Sequence, residues 1–145
     1  MIKLHEKQSE VIRDLFLEDT CRYAVVNASR GFGKSYLAAT AAIIAVQELM
    51  DLAPDVPNKN VALIAPTYSQ AVDIYYPLIA WQLGMEDFVD KSSKAAGQFW
   101  FPNNVQLKLW SYEASQRMRG TGQYFVVADE VTSWHGAGMN LKESW

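Results

Sequence analysis

A chain of 145 residues that is half hydrophobic and one-fifth charged has the length of one domain and the apolar content for a sizeable core. A net charge of −3 at pH 7 excludes nucleic-acid binding by bulk electrostatics, so any such contact needs a local basic patch. The single cysteine, Cys21, excludes an internal disulfide and a cysteine-cluster zinc site, and fits a reducing compartment.

In chain order, Glu6–Leu17 reads as an amphipathic helix with Val11, Ile12, Leu15 and Phe16 on one face. Gln8 lies at its start, about 25 residues ahead of a lysine in a glycine loop. That position resembles the adenine-reading glutamine of helicase-like ATPases, since a primary amide donates to one edge atom of a base and accepts from another. The alternative is an exposed helical glutamine.

Tyr23-Ala24-Val25-Val26 reads as a buried strand of parallel type. Asn27 to Gly33 is a turn-forming loop with two glycines, and Ser35–Met50 is a helix apolar on nearly every side. Strand, loop, Gly33-Lys34-Ser35 and helix together form the phosphate-binding loop of nucleoside triphosphatases. Backbone N–H groups at such a helix start lack intrahelical partners, and the helix dipole favours negative charge there. Ser29, Arg30, Gly31, Phe32, Gly33, Lys34 and Ser35 are therefore the candidates for holding a nucleotide. Lys34 is expected to reach the β- and γ-phosphates, and the Ser35 hydroxyl to ligate Mg²⁺. One position departs from the pattern: Ala28 stands where the first glycine is usual, which requires a negative φ there. Arg30 sets a fixed positive charge inside the loop. The alternative reading is a glycine-rich turn of an unrelated α/β protein.

The longest apolar stretch, Tyr36–Val46, is too short to span a bilayer, and the opening MIKLHEKQSEVIRD is polar. A soluble, intracellular protein is expected. Asp51–Asn60, with Pro54 and Pro57, reads as a surface loop. Val61–Ala65 is a second buried strand ended by Pro66, and Tyr68–Leu83 a second helix closed by Gly84 and kinked at Pro77. Lys91–Gly97 reads as a loop. Gln98–Phe101 and Val105–Trp110 alternate around Pro102-Asn103-Asn104, the signature of a hairpin with a three-residue turn. Trp100 and Trp110 are expected to pack across the strands, with base stacking as the alternative. From Lys91 to Gln123, five positive residues (Lys91, Lys94, Lys108, Arg117, Arg119) face one negative, Glu113. They read either as solvated surface or, for Arg117 and Arg119, as ligands of a phosphate.

Tyr124–Ala128 is a third buried strand and delivers Asp129-Glu130, 95 residues after Lys34. In open α/β sheets ligands lie at the carboxyl ends of the strands, so Asp129 and Lys34 are expected at one edge. Asp129 would hold Mg²⁺ through water, and Glu130 would orient and deprotonate the attacking water. Strand–helix alternation makes the fold α/β with a parallel sheet, and the joint motifs point to transfer of a phosphoryl group from ATP to water.

Gln8, the arginine-bearing loop Ser29–Ser35, the hairpin, Arg119-Gly120 and the Val-Val-Ala-Asp-Glu strand, in this order, resemble the ATPase domain of the large terminase subunit of tailed bacteriophages. The resemblance covers nearly the whole chain, and the loop lacking its first glycine is its most specific element. It implies a RecA-like (ASCE) P-loop NTPase fold: a parallel sheet with flanking helices plus the hairpin. It also implies a motor that drives double-stranded DNA through the portal into an empty capsid in the host cytoplasm, away from membranes. Portal protein, the small terminase subunit and further copies of the chain are the implied partners. Arg30 would act on the γ-phosphate as an arginine finger supplied within the subunit. Residues 1–145 would then be part of one ATPase domain, cut before the strand that carries the family's coupling motif and without its nuclease, with weak or no turnover alone. Two alternatives stay open: a RecA-like helicase or translocase, and a catalytically incomplete nucleotide-binding module.

Overall fold

Residues 6–17, 33–82, 87–118 and 122–129 are described by the computed structural model of the chain. The amphipathic N-terminal stretch forms α1 (Glu6–Ile12), continued by a π-helical turn over Arg13–Leu17. Ile12 is buried against Leu37 and Ala41, with Val11 and Phe16 packed beside them. Helix α2 (Lys34–Met50) buries residues on several sides, including Leu37, Ala42, Ile43, Val46 and Leu49. Its many alanines add little bulk, so neighbours can approach the backbone closely. Its one fully buried hydroxyl, Thr40, is satisfied by donating to the Tyr36 carbonyl at 2.8 Å.

Among the described residues the sheet has five strands: β1 (Asn60–Ala65), β2 (Lys91–Ser93), β3 (Gln98–Phe101), β4 (Val105–Ser111) and β5 (Phe125–Ala128). Their order is β2-β3-β4-β1-β5. Strand β1 pairs in parallel with both β4 and β5, Leu63 standing opposite Leu109 and Val127, while β2, β3 and β4 pair antiparallel. A mixed α/β architecture is therefore observed.

Between β1 and β2, helix α3 starts at Tyr68–Gln70, where the Thr67 hydroxyl accepts from the Gln70 N–H, and continues in π-helical turns over Ala71–Tyr75 and Leu78–Gln82. Proline lacks an N–H and its ring crowds the carbonyl four residues back, so the wider turns around Pro77 take up the disruption. Helices α2 and α3 share one core with Val61, Leu63 and Ala65 of β1, Phe99 and Phe101 of β3, and Val105, Leu107 and Leu109 of β4. Strand periodicity sends Gln98, Trp100, Gln106, Lys108 and Trp110 to the opposite face.

Several expectations are revised. Part of the stretch expected as a loop is strand β2, whose polar Lys-Ser-Ser carries no apolar alternation to announce it. The last strand is half-buried along its length, because among the described residues it pairs with β1 alone. Trp100 and Trp110 do not pack on each other across the strands: Trp100 stands opposite Gln106, under Lys91 Nζ at 5.0 Å from its ring centroid. The aromatic stacking is instead between Phe99 and Tyr76, at 4.8 Å. A short helix, α4 (Tyr112–Ser115), capped by the Ser111 hydroxyl accepting from the Ala114 N–H at 3.0 Å, follows β4 without having been expected. The strand expected at Tyr23–Val26 lies outside the described residues. No described helix is long and apolar enough to cross a membrane.

Candidate functional site

Two contacts fix which end of α2 lies where. Asn103, in the turn before β4, donates its Nδ2 hydrogens toward the carbonyls of Leu49, Met50 and Leu52 at 3.4, 3.0 and 2.7 Å. Tyr124, just ahead of β5, reaches Glu48 Oε2 at 3.4 Å. The C-terminal end of α2 thus lies where β4 and β5 begin. Seventeen helical residues span about 25 Å, more than the roughly 20 Å of a six-residue strand. Lys34 and Ser35 are therefore carried to the opposite edge, at which β1, β4 and β5 end.

Gly33 holds φ 76, a left-handed conformation that glycine adopts without cost, and among the described residues no side chain caps the first turn. The Gly33 carbonyl accepts from the Leu37 N–H at 2.9 Å and from Gln8 Nε2 at 3.1 Å. A Cβ on Gly33 would lie 2.6 Å from Gln8 Nε2, so the absence of a side chain is what lets the amide in. Lys34 is exposed and makes no ion pair among the described residues, and Ser35 is half-buried beside it.

Asp129 follows β5 directly. Its N–H donates to the Ile64 carbonyl at 2.8 Å, extending the parallel ladder by one residue. Its Oδ2 accepts from the hydroxyl of Tyr75, a side chain with no exposed surface. Its other carboxylate oxygen has no partner among the described residues.

Among the described residues no three His, Cys, Asp or Glu side chains gather to hold a metal. Ser35 and Asp129 offer one hydroxyl and one carboxylate. That hard-oxygen set suits Mg²⁺, which keeps several waters and shares phosphate oxygens rather than entering an all-protein cage.

Of the residues expected in the site, Gly33, Lys34 and Ser35 open α2 and Asp129 follows β5 at the end of its strand. Gln8, expected to meet a base, is 4 % exposed and holds the loop's last glycine. Ser29, Arg30, Gly31, Phe32, Arg119 and Glu130 lie outside the described residues. Two members of the basic stretch, Lys108 and Arg117, line a cleft of about 540 Å³ with Tyr68 and Trp110, Lys108 Nζ lying 4.2 Å from the Trp110 ring centroid. Tyr75 was not foreseen. Its one signal was a phenol inside an apolar helix, where a polar tip needs a partner.

No protein-family model, curated protein or solved structure matches the chain.

Proposed function

We propose that the chain binds ATP with Mg²⁺ and hydrolyses it, and that it does so as the motor domain of a DNA-packaging enzyme of the large-terminase kind. Two placements support the nucleotide reading: Lys34 and Ser35 open α2, whose far end lies where β4 and β5 begin, and Asp129 follows the C-terminal end of β5. The first-turn N–H groups and the Lys34 ammonium take the β- and γ-phosphates. Ser35 and Asp129 would hold Mg²⁺, which when bound would neutralise charge on the phosphate oxygens. Glu130 accepts the proton of the water that attacks the γ-phosphorus as ADP leaves, and Arg30 adds positive charge to the group in transfer.

The motor reading, with double-stranded DNA, portal protein, small terminase subunit and further copies as partners, rests on the resemblance of the motif order. A helicase-type translocase shares the same parts, and the arginine inside the loop favours the packaging motor over it.

Titration calorimetry with Mg²⁺-ATP and a phosphate-release assay test the chemistry. The chain is expected to bind, Lys34→Ala to lose binding by more than tenfold, and Glu130→Gln to bind normally without turnover. Equal binding by wild type and Lys34→Ala, or none by wild type, refutes the reading.

A further inference from the structure

We infer that Tyr75 is a positioning residue for the metal-holding carboxylate, an inference that rests on the nucleotide reading above. Tyr75 sits in the π-helical turn Ala71–Tyr75 of α3, with its ring in the core shared by α2 and the sheet. Its hydroxyl donates to Asp129 Oδ2, a contact across 54 positions of sequence. A side chain with no exposed surface has few rotamers open to it, so the hydroxyl is a fixed point rather than a mobile donor.

The geometry divides the carboxylate between two duties. Oδ2 is committed to the phenol, and the second oxygen is left to accept from a metal-bound water at the strand end. Groups one shell out from a metal orient its ligands, and their loss commonly lowers metal affinity 10- to 100-fold. Because Asp129 would act through water, the lower figure applies here. The π-helical turn has a part in this as well. It shifts the register of α3 just before Pro77, and Tyr75 is the last residue of that turn.

The readout is the ratio of ATP dissociation constants in EDTA and in Mg²⁺, taken by calorimetry on the whole chain, with thermal unfolding recorded alongside. Wild type is expected to bind ATP more tightly in Mg²⁺, and Asp129→Asn to lose that gain. Tyr75→Phe, which removes one oxygen atom, is expected to reduce the gain about tenfold while leaving the EDTA constant unchanged. A Tyr75→Phe chain with the wild-type ratio, beside an Asp129→Asn chain that has lost it, overturns the inference and leaves the nucleotide reading standing. Equal weakening in EDTA and Mg²⁺ also overturns it, because a purely structural role has that signature. If wild type binds no ATP, both fall. Should Tyr75→Phe not fold, 3-fluorotyrosine placed at 75 keeps the shape and alters only the strength of donation. A shifted ratio then supports the inference and an unchanged one overturns it.

Discussion

Replacing Gln8 by alanine separates two uses of one amide. In the structure its Nε2 donates to the Gly33 carbonyl at 3.1 Å, and the side chain is almost fully buried. A neutral hydrogen bond of this kind contributes about 1 kcal/mol net. The carbonyl left behind still accepts from the Leu37 N–H at 2.9 Å, so no orphaned acceptor adds to the cost. The truncated side chain leaves a small void, and a total loss of about 1–2 kcal/mol follows. For a chain of this length that corresponds to a fall in Tm of roughly 4 °C. If the contact fixes the end of the phosphate loop, about 1 kcal/mol of it reappears in binding, a loss of roughly fivefold in affinity. The loss should be the same for ATP and GTP, because the contact touches no base. Calorimetry with both nucleotides, beside a thermal melt, reads all three quantities. A Gly33→Ala chain supplies the converse. Its added Cβ displaces the amide, so combining it with Gln8→Ala should cost less than the sum of the two. An ATP-specific loss with GTP untouched would refute this reasoning and return Gln8 to the adenine ring. Unchanged Tm and affinities would mean that the contact has no energetic weight.

Asn103 offers a test of the far end of α2. Alanine there loses two good hydrogen bonds, to the carbonyls of Met50 at the end of α2 and of Leu52 just beyond it, and must hold φ 66, about 3 kcal/mol in all, whereas glycine keeps the backbone and loses about 2. Urea unfolding should therefore rank wild type above Asn103→Gly above Asn103→Ala, and a reversed order of the two variants would show that the turn is not held left-handed. Burial raises the Tyr68 hydroxyl above its ordinary 10.0, and that hydroxyl donates to the Ala95 carbonyl at 2.7 Å. The protonated phenol is thus the form the fold favours. Its contribution is complete below pH 10 and is lost as pH rises through the raised value. The stability advantage of wild type over Tyr68→Phe should be constant to about pH 10 and then shrink, and an advantage that grows with pH would contradict it.

What the sequence disclosed was what lies close together along it. The apolar run of α2, the Val61–Ala65 strand ended by Pro66 and the hairpin around Asn103-Asn104 were legible because periodicity and turn chemistry are local signals. Strand β2 was not, since Lys-Ser-Ser has no apolar side chain and pairs only because β3 presents an edge to it. The half-burial of β5 was hidden for a related reason: an apolar tetrapeptide reads alike whether one strand or two flank it, and among the described residues β1 alone flanks this one. In the candidate site, Lys34, Ser35 and Asp129 were singled out by motifs of a few residues each. The two contacts that orient them, Gln8 to Gly33 across 25 positions and Tyr75 to Asp129 across 54, carry no local marker. Gln8 drew notice for its spacing, yet its burial depends on how α1 folds back over the helix start.

Helix α2 is moored twice. One mooring is the Gln8 amide on the Gly33 carbonyl just ahead of its first residue, and the other is the Asn103 amide on the carbonyls of Met50, its last residue, and Leu52 just beyond, reinforced by Lys59 Nζ on the Asn103 carbonyl at 3.2 Å. Ties at both tips resist sliding of the rod along its own axis, so the glycine end and the hairpin turn, about 25 Å apart, are set by the same helix.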